Sequence, residues 1–400
     1  MSTGIEAKTL LPGTLVNGQP ATLGVMGGGQ LGRMFVQAAQ AMGYFTAVLD
    51  PDPSSPAGLL SHYHIQAPYL DQQGLVQLMQ RCAAITTEFE NVPAEALMTL
   101  AASRTVAPCA EAVAIAQDRA REKAHFVRCG VPVAPYAVIE TKEQLSAVSD
   151  DLLPGILKTA RLGYDGKGQF QVQTREQLAQ AWQALKGEAC VLEKQLVLKA
   201  ECSVIVARGW DGAMVNLPLQ VNLHRAGILA VSTVHEGNLP PALAQQALAA
   251  AREIAKELGY VGVLCVEFFV LQDDSLVVNE MAPRPHNSGH YSLDACDVSQ
   301  FELQVRTLAR LPLVQPRQHS PAIMLNLLGD LWVSDGTPAW DAVLALPGTH
   351  LHLYGKLRAS KGRKMGHLTI TAASVLELGV IALAAAKLLG IEAFELPIRS

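Results

Sequence analysis

The sequence predicts a multidomain chain in which an α/β domain is followed by α+β domains. Its 400 residues, 50% of them hydrophobic, exceed what a single hydrophobic core usually organises. A strand, a glycine turn, a helix and a second strand follow one another over 21–50, which is the βαβ pattern of a parallel sheet. After residue 131, short strands alternate with single helices and a hairpin, a pattern typical of α+β domains.

These patterns divide the chain into four segments. Residues 1–20 are expected to be a flexible N-terminal extension, because they lack the basic start and long apolar run of a signal peptide. Residues 21–130 form the α/β domain, and a Gly-Val-Pro run marks its end. Residues 131–213 form a small α+β domain with one helix. Residues 214–400 form the C-terminal domain.

Composition excludes several classes of partner. A net charge of -5 and a pI near 6.1 give no global attraction to nucleic acid or to an anionic membrane. The seven cysteines are scattered and odd in number, which indicates reduced thiols in a cytoplasmic protein rather than disulfides or a zinc site. The apolar stretch 375–391 is interrupted by Glu377 and Lys387, so a buried helix is expected there and not a membrane span.

Two apolar runs, 263–270 and 276–280, are joined by a short polar turn and predict a β-hairpin. If the turn centres on Asp273-Asp274, Glu267 faces Glu280 directly. Two facing carboxylates on a buried face repel each other, and a divalent cation would compensate them. Oxygen ligands alone favour Mg²⁺. The alternatives are a solvated sheet face, or a loop of three or five residues that shifts the pairing by one. By strand alternation Asn279 points to the other face unless a bulge redirects it.

The polar segment after this hairpin predicts an anion site. Two prolines fix the backbone on either side of Arg284, whose planar guanidinium suits a carboxylate-like anion such as bicarbonate. The alternative is structural: Arg284 pairs with an acid, and His286 or His290 caps the next helix.

A second glycine-rich loop, the G-Y-D-G-K-G-Q run that begins at Gly163, lies between two predicted strands. Its backbone amides, together with Lys158 and Lys167, would bind phosphate, although an ordinary flexible hairpin has the same composition. It does not match the P-loop pattern. The strand that ends near Glu193 would present its main chain to an adenine base.

Two weaker signals lie at the ends of the chain. The run G-G-G-Q-L-G from Gly27, with Asp50 beyond it, resembles a dinucleotide fingerprint and leaves a nicotinamide-dependent oxidoreductase as an alternative. Near the C-terminus, basic residues and glycines cluster over 355–366. Such a cluster is either a solvated face or a clamp for a sugar phosphate.

Five motifs together carry a family resemblance: G-G-G-Q-L-G-R-M at Gly27, T-E-F-E-N-V at Thr87, G-Y-D-G-K-G-Q at Gly163, N-E-M-A-P-R-P-H-N-S-G-H at Asn279 and G-R-K-M-G-H at Gly362. They occur in order over 21 to roughly 370. In this respect the chain resembles the 5-(carboxyamino)imidazole ribonucleotide synthases of purine synthesis. The resemblance implies an ATP-grasp fold, in which a small mobile central domain and the C-terminal domain hold ATP, preceded by a Rossmann-like pre-ATP-grasp domain.

The resemblance also implies the chemistry. ATP phosphorylates bicarbonate to carboxyphosphate, and the exocyclic amine of 5-aminoimidazole ribonucleotide captures the released CO₂ as a carbamate. Mg²⁺ is the expected cofactor, the family is commonly dimeric, and the product would pass to a separate mutase. The closest rival is the formate-dependent glycinamide ribonucleotide transformylase, which tends to carry Asp-Thr where this chain has Asn287-Ser288. A non-catalytic nucleotide-binding protein is a third alternative.

Site residues follow from the same motifs. Mg²⁺ is assigned to Glu267 and Glu280. The residues assigned to ATP are Arg119, Lys123, Lys158, Gly163, Tyr164, Asp165, Gly166, Lys167, Gly168, Gln169, Glu193, Lys194, Gln195, Leu196, Glu201, His224, Asn279 and Glu280. The catalytic candidates are Arg284, His286, Asn287, Tyr164 and Asp165. The ribonucleotide candidates are Gln30, Leu31, Glu88, Lys356, Arg363 and Lys364, together with Tyr164 and Asp165.

Overall fold

The structure is a computed structural model that describes residues 8–161, 168–332 and 336–395. The first part of the chain forms a parallel sheet of strand order β5-β4-β3-β6-β7 with helices packed on it. Every residue of β3 is buried, as the strand of a doubly covered parallel sheet should be. Its elements are β1 (Leu15–Val16), β2 (Gln19–Pro20), β3 (Thr22–Met26), α1 (Gln30–Ala41), β4 (Phe45–Leu49), β5 (Tyr63–Ile65), α2 (Gln72–Arg81), β6 (Ala84–Thr87), α3 (Ala94–Ala101), β7 (Thr105–Val106), α4 (Ala110–Ala116) and α5 (Arg119–Arg128).

The N-terminal extension contacts the body of the protein over the part that is described. Strands β1 and β2 pair as a small hairpin. The Leu10 amide donates to the Ala309 carbonyl at 2.9 Å, and the Tyr44 hydroxyl donates to the Leu10 carbonyl at 2.6 Å. Residues 8–20 therefore differ from the flexible segment that their composition predicts, because long-range hydrogen bonds hold them.

The small domain is an antiparallel sheet of order β10-β9-β11-β8 covered by α7. The predicted helix is present, and the Thr174 side chain caps its start by accepting from the Gln177 amide. Leu157, Leu178 and Leu192 pack in its core. Its elements are β8 (Tyr136–Ile139), α6 (Lys142–Ser146), a 3₁₀ helix (Asp150–Leu152), β9 (Gly155–Thr159), β10 (Gln169–Val172), α7 (Arg175–Ala184) and β11 (Cys190–Lys194).

The remainder is built on a large antiparallel sheet of order β17-β16-β12-β14-β15-β18-β20-β19, with β13 paired to β12. Its elements are β12 (Leu198–Arg208), β13 (Met214–Asn216), β14 (Gln220–Arg225), β15 (Ile228–Val234), α8 (Pro241–Glu257), β16 (Gly262–Leu271), β17 (Leu276–Ala282), a 3₁₀ helix (Asn287–Gly289), α9 (Ser292–Ala295), α10 (Gln300–Leu308), β18 (Ala322–Leu328), a 3₁₀ helix (Gly329–Leu331), α11 (Trp340–Leu344), β19 (Thr349–Leu353), β20 (Lys364–Thr371) and α12 (Val375–Leu389).

Two features of this sheet bear on the sequence-based expectations. Strand β12 falls inside the range 131–213 predicted for the small domain, yet it pairs with β16 and β14 in the large sheet. Helix α12 buries Leu378, Ala382 and Leu389 against the far end of the sheet. Among the described helices, none combines the length and the apolarity that crossing a membrane requires.

Helix α5 links the parts that form the site. It contacts both β11 of the small sheet and β17 of the large one. Phe126 anchors it, because this side chain is fully buried in the same core as Val266 and Val278 of the hairpin. Glu122 and Lys123, the buried charged residues of α5, are consequently held where the helix contacts the two sheets.

Candidate active site

The two carboxylates of the predicted metal site face each other across the hairpin of β16 and β17. Glu267 pairs with Glu280, as the sequence predicts, but the register that produces the pair is not the predicted one. On the turn side Phe268 faces Val278, so uninterrupted strands would bring Glu267 opposite Asn279. A β-bulge at Asn279 adds one residue to β17 and returns Glu280 to its place.

Burial and repulsion govern the protonation of this pair. Glu267 is 8% exposed, and burial together with the charge of Glu280 raises its pKa to about 7. Burial would also raise the pKa of Glu280. The positive charges of Arg119 and Lys158 outweigh the effect of burial, so the pKa of Glu280 is lowered. Arg119 Nη1 lies 3.2 Å from Glu280 Oε2. Near neutral pH, Glu280 is therefore ionised, whereas Glu267 beside it resists ionisation.

Two buried oxygens at this position fit a hard cation. Glu267 Oε1 and Asn279 Oδ1 make no hydrogen bond within the described residues. Two residues of a bulge face one residue of the partner strand, so Asn279 and Glu280 share the side that faces Glu267. Carboxylate and amide oxygens, with no thiolate among them, are the ligands that Mg²⁺ prefers. The donor set fits the predicted magnesium ion.

Glu193 joins α5 to the small sheet through two lysines. Lys123 Nζ lies 3.1 Å from Glu193 Oε2, and Lys158 Nζ lies 3.0 Å from Glu193 Oε1. Burial raises the pKa of Glu193, but both lysines outweigh it and lower that pKa. Lys158 also acts on Glu280, so positive charge extends from the small sheet to the carboxylate pair. Three predicted ATP residues are thus brought together.

The segment after β11 presents one main-chain donor to a ligand. The amides of Lys194 and Gln195 donate to the carbonyls of Pro135 and Pro154 at 2.8 and 2.9 Å. The Leu196 amide makes no hydrogen bond within the part of the chain that the structure describes. Of the main-chain amides predicted to read adenine, Leu196 is the one available.

Glu201 and His224 lie on the paired strands β12 and β14. Glu201 Oε2 is 2.6 Å from His224 Nδ1. Burial would lower the pKa of His224, but its hydrogen bond to Glu201 and the charge of Glu267 raise it. The two predicted ATP contacts are therefore bonded to each other, and Glu201 lies on the same sheet face as Glu267.

The glycine-rich loop is described only at its end. Gly163, Tyr164, Asp165, Gly166 and Lys167 lie outside the described residues, so their predicted roles stay predictions. Gly168 has a φ of +71°, and a Cβ there would stand 2.9 Å from Thr159 Oγ1. Gln169 faces Lys158 across β9 and β10, which places this end of the loop beside the lysine that contacts Glu193.

Arg284 pairs with an acid, the structural alternative that its sequence context left open. Its Nε donates to the carboxylate of Glu90, and its Nη1 donates to the Pro285 carbonyl at 3.1 Å. Burial would lower the pKa of Arg284, but Glu90 raises it, so the guanidinium stays charged. Next to it, Asn287 is buried, and neither amide atom has a hydrogen-bond partner within the described residues.

His286 caps the 3₁₀ helix, the other alternative left open. Its Nδ1 accepts from the Ser288 amide, and the Gln300 side chain binds both backbone groups of His286 at 2.8 Å. Its Nε2 lies 3.6 Å from Glu267 Oε1. Burial lowers the pKa of His286 well below its usual value, so the ring is neutral at pH 7.

The first glycine turn, which resembles a dinucleotide fingerprint, has several of its amides bonded to acidic side chains of the protein. The Gly28 amide donates to Asp50 Oδ2 at 2.7 Å, and those of Gly29 and Gly32 donate to the Glu88 carboxylate at 2.6 and 2.9 Å. The amides that would bind phosphate are therefore bonded to the protein's own acids. This geometry also argues against a nicotinamide dinucleotide at the turn. Gln30 and Leu31 begin α1 beside it.

The basic loop between β19 and β20 is partly braced by its own backbone. Lys356 Nζ donates to the Lys364 carbonyl at 2.6 Å, and Arg363 Nη1 donates to the Arg358 carbonyl at 2.7 Å. The charge of Lys364 lowers the pKa of Glu90, which follows β6 of the first domain. The loop and the Arg284 site therefore lie on the same side of the molecule.

Glu122 is a member of the site that the sequence does not single out. It is 2% exposed, and its Oε1 accepts from the Met281 amide at 2.7 Å. Burial and the charge of Glu280 raise its pKa to about 8. The available signal is spacing: Arg119, Glu122 and Lys123 occupy one face of α5.

The fold and this site define an ATP-grasp protein. Residues 20–117 match the ribonucleotide synthetase preATP-grasp domain, 124–301 the ATP-grasp domain and 322–379 the phosphoribosylaminoimidazole carboxylase C-terminal domain. The chain belongs to the N5-carboxyaminoimidazole ribonucleotide synthase family. It is 41% identical to the Bacillus subtilis (strain 168) member over 87% of this chain and 91% of that one. Its identity to the Brucella melitensis member is 42%, covering 87% and 96%.

Solved structures agree with this assignment. An N5-carboxyaminoimidazole synthetase from Staphylococcus aureus, complexed with ADP, superposes with a TM-score of 0.86 at 36% identity and covers 94% of this chain and 98% of its own. An N5-carboxyaminoimidazole synthase from Aspergillus clavatus, in complex with ADP and 5-aminoimidazole ribonucleotide, gives 0.86 at 31% identity over 93% and 99%. The expected ATP-grasp fold and Rossmann-like first domain are confirmed.

Proposed function

We propose that this enzyme uses ATP and bicarbonate to carboxylate the exocyclic amine of 5-aminoimidazole ribonucleotide. The observation that carries the proposal is the facing pair of buried Glu267 and partly exposed Glu280, whose hairpin leads directly into Arg284 and the unpaired amide of Asn287. Family membership and the ribonucleotide-bound relative from Aspergillus clavatus support the choice of substrate. Glycinamide ribonucleotide transformylation has no comparable support.

ATP would lie between the small sheet and the large one. The free Leu196 amide suits a ring nitrogen of adenine, and Glu201 suits the ribose hydroxyls. Lys158 and Arg119 bring positive charge to the phosphates, while Lys123 keeps Glu193 ionised and in place. Glu267, Glu280 and Asn279 would hold Mg²⁺, which when bound neutralises charge on the transferred phosphoryl group.

Bicarbonate would bind beside Arg284 and Asn287. An oxygen of bicarbonate attacks the γ-phosphorus, the bond to the β-phosphate oxygen breaks, and ADP leaves with that electron pair. Carboxyphosphate then separates into CO₂ and inorganic phosphate. The substrate amine forms the new N–C bond to CO₂ and loses one proton. The inorganic phosphate released in the preceding step takes up that proton, since the low pKa of the His286 ring makes it a weak base.

The substrate's phosphate would bind the basic loop through Lys356, Arg363 and Lys364, rather than the glycine turn. A homodimer and transfer of the carbamate to a separate mutase, both implied by the family resemblance, belong to the same proposal.

The test is release of ADP by the purified enzyme with bicarbonate, with and without 5-aminoimidazole ribonucleotide. We expect turnover that requires Mg²⁺ and bicarbonate, and a carbamate product detected from labelled bicarbonate. In Glu280→Gln, one of the two charged ligands proposed for Mg²⁺ is lost, so turnover should fall by more than about 100-fold, since loss of a side chain that only supports a metal ligand costs roughly 10- to 100-fold. Formate-dependent turnover of glycinamide ribonucleotide, or near-normal activity of Glu280→Gln at saturating Mg²⁺, would overturn the proposal.

A further inference from the structure

Asp294, His352 and His367 form a cluster separate from the carboxylate pair. They come from α9, β19 and β20, and each offers one ligand atom within 4.8 Å of the others. His352 Nε2 lies 2.9 Å from Asp294 Oδ2, and the rings of His352 and His367 stack at 4.5 Å. His350 adds a third imidazole, whose Nδ1 is 3.8 Å from Asp294 Oδ1.

One atom of the cluster is buried without a partner. His367 is 0% exposed; its Nδ1 bonds to the Tyr354 hydroxyl at 3.0 Å, and its Nε2 has no hydrogen-bond partner within the described residues. An unpaired ring nitrogen in such a place costs free energy, because it has lost water and gained nothing in exchange. Burial lowers the pKa of His367 well below its usual value, so the ring is neutral, the form that binds metal.

We propose that Asp294, His352 and His367 bind a divalent transition-metal ion of the Zn²⁺ class. One carboxylate and two imidazole nitrogens suit zinc, whereas Mg²⁺ prefers oxygen ligands. Ligand atoms about 2.0–2.1 Å from a tetrahedral ion lie roughly 3.3 Å apart, so the cluster contracts by at most about 1.5 Å. His350 is the nearest candidate for the fourth position.

Access to the cluster is open on one side. The side chains of His352 and His350 are 33% and 41% exposed, while that of Asp294 is 12% exposed. An ion can therefore enter from solvent and reach the buried nitrogen of His367. Because the cluster joins α9 to the strands that flank the basic loop, a bound ion would fasten that loop to the body of the domain.

The experiment titrates the full-length protein with Co²⁺, followed by visible absorption, and with Zn²⁺, followed by equilibrium dialysis. Excess Mg²⁺ is present throughout and nucleotide is absent, so the carboxylate pair does not compete. We expect one Co²⁺ or Zn²⁺ per chain and a rise in Tm on binding. His352→Gln and Asp294→Asn should each weaken affinity by at least about 10-fold, since loss of a side chain that only hydrogen-bonds to a metal ligand already costs that much.

Two control variants separate this site from others. His319→Gln removes an exposed histidine of the same domain, and Glu280→Gln disables the carboxylate pair; both should keep the ion. His352 and Asp294 are partly exposed, so their variants should fold, which far-UV circular dichroism without metal checks. The proposal is overturned if the wild type binds no stoichiometric ion at micromolar concentration, if His352→Gln binds it unchanged, or if Glu280→Gln alone abolishes binding.

Discussion

Replacing Glu267 by Gln should abolish turnover and yet stabilise the ligand-free protein at alkaline pH. The rise of the Glu267 pKa from 4.5 to about 7 corresponds to about 3 kcal/mol of penalty on the ionised form. A carboxyl whose folded pKa exceeds its unfolded pKa contributes stability that is complete below pH 4.5 and is lost as the pH rises to about 7. Glutamine has nearly the same shape and does not ionise, so the variant escapes this loss.

The size of the effect follows from linkage. Between pH 5.5 and pH 8 the wild type should lose about 2 kcal/mol through this group, which the variant should not lose. In a chain of this size, that difference shifts Tm by a few degrees, on the order of 3 °C. Thermal unfolding of both proteins without nucleotide or Mg²⁺, at pH 5.5 and pH 8, measures it. The variant's advantage in Tm should grow as the pH rises.

Two comparisons make the outcome decisive. Glu236→Gln, at an exposed glutamate remote from the pair, should show a Tm difference from wild type that does not change with pH. Adding Mg²⁺ and ADP should raise the Tm of the wild type more than that of Glu267→Gln, because the cation relieves the repulsion only where both carboxylates remain. A Tm difference between Glu267→Gln and wild type that is equal at pH 5.5 and pH 8 would refute the assigned pKa and its cause.

Two further predictions concern the substrates. Arg363→Ala should raise the KM for the ribonucleotide by about 10-fold or more with little change in the KM for ATP, since one charge-assisted hydrogen bond contributes about 1.5–3 kcal/mol. Lys361→Ala, in the same loop, is the control. Equal effects of Arg363→Ala on both KM values would contradict a phosphate clamp. Asn287→Ala should lower the rate of carboxylation at least about 10-fold. The Tm of this variant should be unchanged or higher, because the substitution removes two buried polar atoms without partners. A fall in Tm at normal turnover would show a purely structural role for Asn287.

Local patterns predicted the elements that carry the site. The helix expected within 131–213 is present as α7, and the polar turn predicted the hairpin of β16 and β17. The Gly-Val-Pro run that marks the predicted end of the first domain directly follows α5 and Cys129 at its C-terminus. These features depend on neighbours in sequence, so the sequence contains the information needed to place them.

Contacts between distant segments were not predictable in the same way. Arg284 and Glu90 are 194 residues apart, and nothing around either residue identifies the other as its partner. The occupied glycine turn is a similar case, since Glu88 fills it from 56 residues away or more. The G-G-G-Q-L-G run shows that amides are exposed for an acceptor, but it does not show whether the acceptor is a ligand or a side chain.

The facing glutamates show how a correct pair can follow from an incorrect register. Centring the turn on Asp273-Asp274 brings Glu267 opposite Glu280, but the observed turn is one residue different, and the bulge at Asn279 compensates for it. In the register of the turn side, an unbroken β17 would place Asn279 opposite Glu267 and turn Glu280 to the other face. The carboxylate pair therefore depends on the bulge, which brings Glu280 opposite Glu267. Deleting Asn279 would remove the bulge and leave Glu280 opposite Glu267, so the acid pair would remain while the amide oxygen would be lost.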